Sequence, residues 1–356
     1  MTPTSTATHL SYRAGGGGAV TRRAALLVIG VLAIQLAFVT SYLGAFHRPE
    51  PHRVDLAVVA PEQTRGELVR NLDDLSGEPL DAHPVQDEAE AVHRIRHRET
   101  DAALVVDPRG TRDRLLVAGG AGASLAQAVE QVVRQVERAE RRSLATTDVA
   151  PASSGDSRAL SAFYLVIGWC VGGYLCAAAL AISAGARPAT PRRATVRLGV
   201  LALYAALSGL GGAIIAGPVL DALPGSLFAL WGLGALVVFA VGAATLALQG
   251  LLGVVGIGVA ILLVVVLGNP SAGGAYPYPL LPDFWRTIGP ALPPGAGVWT
   301  ARSIAYFQGN AVTGPLLVLA AWAAAGTLLT LLSSALRGRT HQSPELVPRA
   351  PDHPYG

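Results

Sequence analysis

The sequence predicts a polytopic α-helical membrane protein, with six transmembrane helices in a one-plus-five order and a small extracytoplasmic α/β domain after the first. Three observations predict it. Six apolar stretches carry no Asp, Glu, Lys, Arg or His: Ala24–Phe46, Ala162–Ser183, Leu198–Ile215, Leu227–Leu248, Leu251–Leu267 and Pro315–Leu336. About 20 such residues cross the ~30 Å hydrocarbon core as a helix. The mean hydropathy of +0.43, with 51% hydrophobic residues, exceeds what a water-soluble core of this length needs. Residues 47–161 are instead charged and alternate strand-like with helix-like patterns.

The first stretch follows Thr21-Arg22-Arg23, as a twin-arginine signal peptide would. Its apolar run is longer than a signal-peptide core, and Leu43-Gly44-Ala45 places a bulky residue where cleavage wants a small one. It therefore reads as an uncleaved anchor over 24–46.

Residues 47–142 read as the extracytoplasmic domain. Val54–Ala60 (VDLAVVA) is a strand that ends at Pro61. Glu62–Leu75 spaces Leu68, Leu72 and Leu75 as a helix does. Pro79–Val85 is a second, weaker strand, and Gln86–Arg98 a short charged helix with Ala91, Val92 and Ile95 on one face. Ala102–Val106 is a strand, and Leu115–Ala118 pairs with it after the Asp107-Pro108-Arg109-Gly110 turn. Ser124, with Gln127 behind it, predicts a capping box for a long helix striped by Leu125, Val129, Val132, Val133 and Val136. Such alternation favours a mixed or parallel sheet. The core is small enough to need outside support, for which a second copy of the chain is the expectation. Residues 143–161, rich in Ser, Thr, Ala and Pro, read as a linker. Residues 1–23 and 337–356 read as disordered cytoplasmic ends.

Orientation follows from arginine. Arg22 and Arg23 precede the first span, Arg187, Arg192, Arg193 and Arg197 lie between the second and third, and Arg337 and Arg339 follow the last. The positive-inside rule puts all three clusters in the cytoplasm, hence both termini inside a plasma membrane and residues 47–161 and 268–314 outside. The net charge of +3 is then topology rather than a nucleic-acid footprint. All basic residues but the histidines are Arg, a usage that points to a GC-rich bacterial genome.

Chemistry is notable by omission, and the sequence offers no catalytic, cofactor-binding or metal-ligating set. Without Lys there is no P-loop, Schiff base or Ser-Lys pair. Gly155-Asp156-Ser157-Arg158-Ala159 approaches a nucleophile elbow, but it lacks the last Gly and reads as a solvated turn. His93 and His97 are four apart, as zinc ligands can be, yet Arg94, Arg96 and Arg98 surround them, so a solvated helix face is the reading. Cys170 and Cys176 both lie in the second span and read as buried thiols. No span holds an ionisable residue, which disfavours a proton-coupled carrier. Gly168-xxx-Gly172 and Ser208-xxx-Gly212 allow close helix approach within one chain or between two copies as a homodimer.

The loop 268–314 is unusual. It runs Gly268-Asn269-Pro270-Ser271, then Leu281-Pro282-Asp283-Phe284-Trp285-Arg286, then Leu292-Pro293-Pro294-Gly295. Pro and Gly forbid one simple helix, and Phe284-Trp285-Arg286 suits a membrane interface. Such a segment can dip into the outer leaflet where protein covers its backbone. This loop, the one-plus-five layout, VDLAVVA after the first span and AALVVD before a basic turn resemble the ABC-2-type permease superfamily, in its YhgE/phage-infection-protein-like branch. The resemblance covers residues 20 to 340. It implies a dimeric permease that exports a lipid, polymer or drug with a separate cytoplasmic ATPase. It implies exit-loop roles for Asn269, Pro270, Phe284, Trp285, Arg286, Pro293 and Pro294. The chain departs from the pattern in its short inner loop, Arg187–Arg197. There Thr190-Pro191 caps the third span early, and Arg192 and Arg193 face either lipid phosphates or the ATPase. The alternative reading is a non-transporting envelope protein, a receptor or a secretion accessory.

Overall fold

The computed structural model describes residues 22–185 and 190–340. The disorder expected of residues 1–21 and 341–356, and the position of Arg187, lie outside those residues. Arg22 already belongs to helix α1 (Arg22–Phe46), and residues 337–340 belong to α11 (Thr313–Thr340), so both ordered spans reach further than expected.

After α1 the chain builds the lobe: β1 (Val54–Val59), α2 (Glu62–Asp73), β2 (Leu80–Pro84), α3 (Glu88–Arg96), β3 (Ala102–Val105), β4 (Arg112–Val117), α4 (Ala123–Ala139) and β5 (Ser143–Asp148). The sheet order is β2-β1-β3-β4-β5; only β3 and β4 run antiparallel. Period-two alternation divides the core between two faces. Leu56, Val58, Leu104 and Leu115 meet Leu72 of α2 and Leu125, Val129 and Val133 of α4. Ala57, Ala103 and Leu116 meet Ala91 and Ile95 of α3.

Two expectations need correction here. Residues 143–148 are a strand and not linker, since β5 pairs with β4 along its whole length. SLATTD is polar because β5 is an edge strand, mostly exposed. Ser124 does not cap α4, whose cap position is Gly122 (φ 149°). Its hydroxyl donates instead to Ala275 O (2.8 Å), in the loop beyond the fifth apolar stretch.

The membrane part holds α5 (Ser161–Ala184), α6 (Pro191–Ile214, running on as a π-helical turn to Val219), α7 (Leu227–Leu252), α8 (Val255–Ile261) and α11. Five helices are long and apolar enough to cross a membrane: α1, α5, α6 with its π turn, α7 and α11. The chain is thus a helical membrane protein with a sheet-containing domain. Helix α7 is the axis of the bundle, and α5, α6 and α11 close on it through glycine. A Cβ on Gly173 would lie 2.7 Å from Val238 O, on Gly209 2.5 Å from Ala235 N, and on Gly326 2.5 Å from Ala244 N. Small residues at these points let backbones touch, the usual basis of helix association in lipid. Of the two predicted small-residue pairs, Gly172 meets Tyr204 and Ser208, and Gly212 meets Trp169. Around Gly168 the space is open. Helix α1 stands apart, exposed along nearly its whole length. It is tied to the bundle by Ser41, whose hydroxyl donates to Val266 O.

The fifth apolar stretch is not one straight helix. Helix α7 takes its first two residues and stops at Gly253 (φ 66°), a conformation that favours glycine. Helix α8 then runs seven residues, and a seven-residue π-helical segment ends at Gly268. Together they reach roughly 20 Å, short of a ~30 Å hydrocarbon core. The loop that follows descends beside α11. Trp322, more than two turns into α11, donates from Nε1 to Ala291 O (2.9 Å). That puts Ala291 roughly 14 Å along α11 from its first residue.

The lobe and loop junction as candidate functional site

Two short helices order the loop: α9 (Asp283–Ile288) and α10 (Pro293–Tyr306). Pro293 and Pro294 occupy the first turn of α10, where proline costs no hydrogen bond. Gly295 to Val298, the next four residues, are all buried. Gly297 is there because a Cβ would lie 2.7 Å from Val166 of α5 and 3.2 Å from Val237 of α7. Helix α10 therefore begins inside the bundle and ends against the lobe.

The loop also completes the lobe. Leu280 is buried in the core shared with α2 and α4, with Tyr276 beside it. Phe307 is buried in the core under α3. The same chain thus supplies support to the small lobe.

Arg98 pins the two parts together. It follows α3 in the left-handed region (φ 58°), which turns its side chain away from the helix path. Its Nη1 donates to Trp299 O (3.0 Å) and Ser303 Oγ (2.9 Å). The guanidinium lies 3.4 Å from the Trp299 ring centroid and 4.9 Å from that of Phe307, in cation–π geometry. Burial, then the neighbouring charge of Arg302, lowers its pKa to about 9, so it stays cationic at neutral pH. Asp101 shares the site, its pKa raised to about 6 by burial and then by Asp55.

Arg302 is 3% exposed and holds three backbone carbonyls: Gly273 O (2.6 Å), Gly274 O (2.7 Å) and Ala159 O (3.0 Å). It thus joins the descending loop to the start of α5. Its Nε and the Tyr278 hydroxyl have no protein partner among the described residues. Both residues line a cavity of about 30 Å³ with Arg98, Asp101 and Trp299. That volume and those polar groups suit one buried water.

Asp156 corrects another expectation. It is buried, not solvated, and Oδ1 accepts from Leu160 N (2.9 Å), Ser161 N (2.8 Å) and Ser161 Oγ (2.8 Å), closing the first turn of α5. Its Oδ2 accepts from Tyr306 Oη (2.6 Å), the last residue of α10. Burial and this bond push the Tyr306 hydroxyl pKa up.

The sequence-predicted residues divide into four places. Pro293 and Pro294 start α10, and Pro294 packs on Gly268. Asn269 and Pro270 are buried at the foot of the loop, where Asn269 lies near Tyr42 of α1. Phe284 and Trp285 stack edge to face (4.8 Å), with Phe284 57% exposed. Arg286 is tied to Asp283 Oδ1 (2.6 Å) and His52 O (3.3 Å). None of these touches the Arg98 centre directly. Arg192 and Arg193 are exposed at the opposite end of the molecule. The sequence alone does not bring Arg98, Trp299, Arg302 and Asp156 together; a lone Arg302 within an otherwise uncharged stretch of loop is the signal it offers. His93 and His97 stack ring on ring (3.9 Å), and Glu90 pairs with Arg94 (2.7 Å) instead of facing them. No group of three or more His, Cys, Asp or Glu suited to a metal occurs among the described residues.

Below the junction an apolar groove of about 470 Å³ opens between Pro290, Ala296, Trp299, Thr313 and Pro315. Comparison with protein-family models, curated proteins and solved structures gives no match to this chain.

Proposed function

We propose that the chain is a permease-like membrane subunit of the ABC-2 type that exports an amphiphilic substrate with a separate ATPase. One observation carries the reading: a single loop folds back into the bundle and also completes the core of the outer lobe. Motion of α10 against α5 and α7 would reach the lobe directly through Arg98. The apolar groove beside Trp299 supplies an exit for a greasy substrate.

The topology belongs to the same proposal. Six crossings, one before the lobe and five after, put the lobe outside a plasma membrane and both termini inside. In support, the lobe-side ends gather together: Ser153 Oγ donates to Ala222 O (2.7 Å) between α6 and α7, and His52 N donates to Pro279 O (2.9 Å). Arg22, Arg192, Arg193 and Arg337 stand at the remote ends, as the positive-inside rule asks. The short α8 completes its crossing by meeting the descended loop.

A second reading, an envelope receptor or secretion accessory, is favoured by the brief connection between α5 and α6. Only residues 185–190 separate them, which leaves no room for a large coupling helix. Crosslinking the tagged protein in its native membrane, followed by mass spectrometry, tests the choice. A stoichiometric P-loop ATPase is expected. Its reproducible absence, with envelope components in its place, would shift the assignment to the second reading.

A further inference from the structure

We propose that the groove between the remote ends of α5 and α6 is a binding site for an acidic phospholipid. It rests on α5 and α6 crossing the bilayer and does not require transport. The groove has a volume of about 920 Å³ and is lined by Arg192, Arg193 and Arg197 together with Leu180, Val196 and Val200. No acid lines it among the described residues.

Helix α6 starts there. Thr190 Oγ1 accepts from Arg193 N (3.4 Å), and Pro191 fills the first helical position. The free N–H groups and dipole of this 24-residue helix favour an anion. The second observation is Arg197, only 5% exposed. Its Nη2 donates to Ala184 O and Gly185 O (both 2.7 Å), which fixes the guanidinium at the end of α5. Its Nη1 is buried and has no partner among the described residues. A buried donor of this kind calls for an acceptor, and a phosphate oxygen is the acceptor that a guanidinium fork binds best.

The other wall of the groove chooses between a free anion and a lipid. Val196 and Val200 are 60% and 46% exposed and lie one turn apart along α6. They continue from the arginines toward the middle of the helix, where acyl chains run. Three cations at one end and aliphatic side chains at the other match a phosphate headgroup with its chains. The arginines thereby gain an occupant that needs no protein partner.

Native mass spectrometry of the full chain in mild detergent tests this, with phosphatidylglycerol and phosphatidylcholine of identical chains. Preferential retention of phosphatidylglycerol is expected. Arg192→Gln with Arg193→Gln should weaken it about thirtyfold, since each basic residue near a membrane surface is worth ~1 kcal/mol. The double variant should leave phosphatidylcholine retention and lipid-free melting unchanged, because both side chains are exposed. Val200→Trp, which fills the apolar wall, should also weaken phosphatidylglycerol. Equal retention of the two lipids, or indifference to the double variant, would overturn the proposal. So would displacement by millimolar inorganic phosphate, which would leave an anion site without a lipid.

Discussion

Arg98 carries more of the junction than any other side chain, and its removal has a calculable cost. A partly desolvated cation–π contact contributes ~0.5–2 kcal/mol, and hydrogen bonds from a charged donor ~1.5–3 kcal/mol. Arg98→Ala should therefore loosen the lobe from α10 by about 2–5 kcal/mol, seen as a lower unfolding temperature of the detergent-solubilised protein. Arg98→Lys keeps the charge but not the flat, forked donor, and should recover half of that or less. An equal effect of the two variants would mean that charge alone holds the contact. A second residue-scale consequence concerns Glu137, on the inner side of α4. Burial, then a hydrogen bond donated to Asp113 and that residue's charge, raises its pKa from 4.5 to about 7. The folded lobe thus holds this proton more tightly than the unfolded chain does. The resulting stability is full below about pH 4.5 and lost as pH rises through about 7. Glu137→Gln should raise lobe stability at pH 8 and change it little at pH 4, read from thermal melts at the two values. Its neighbour Asp113 behaves oppositely. Burial opposes its ionisation, but bonds from Arg142 and Asp107 N outweigh burial and hold the pKa below the usual value.

Between elements, the tightest constraint is glycine at the α7 contacts. A Cβ on Gly326 would meet the α7 backbone at Ala243 and Ala244, neither of which can move aside as a flexible side chain would. Gly326→Val should separate α11 from α7 and cost about 1–3 kcal/mol or more. The fraction of protein recovered monodisperse after extraction measures this. Gly232→Ala is the control, since nothing lies within 4 Å of that position. Unchanged recovery of Gly326→Val would show that the two helices are not held in this register. At this scale the sequence is a good guide where local pattern decides and a poor one where partners are remote. Hydropathy finds the long helices, and alternation finds β1, β3 and β4. It misses β5 because an edge strand needs no apolar run. It reads residues 251–267 as one short apolar stretch because hydropathy does not register the break at Gly253. It leaves Arg98 on a charged helix and Arg302 in a loop, since 201 residues separate Arg98 from its acceptor Trp299. That distance also explains why Asp156 reads as solvent-facing, when Tyr306 covers it from 150 residues away.

For the molecule as a whole, everything turns on which ends share a side of the membrane, and α8 is the critical element. If its roughly 20 Å path crosses with the help of the descended loop, the turn at residues 253–254 lies inside, with Arg192 and away from the lobe. If α8 only enters and returns, one of α5, α6 and α7 cannot cross either, because the loop after α8 stays on the side of the lobe. Impermeant maleimide labelling of single cysteines decides this in whole cells. The background is Cys170→Ala with Cys176→Ala, which removes both native thiols. Three exposed positions report: Asp74→Cys on the lobe, Arg192→Cys at the start of α6, and Val254→Cys between α7 and α8. Asp74→Cys should label in intact cells, and the other two only after permeabilisation. Labelling of Val254→Cys from outside would remove the α8 crossing together with that of one of α5, α6 and α7, while leaving the lobe where it is. Labelling of Arg192→Cys from outside would invert the molecule and take the positive-inside argument with it. The lobe must share a side with the loop in any case, because Leu280 and Phe307 are part of its two cores. Lobe, descended loop and bundle therefore form one mechanical unit, and a force applied at the far ends of α5 and α7 has a packed path to the lobe through α10.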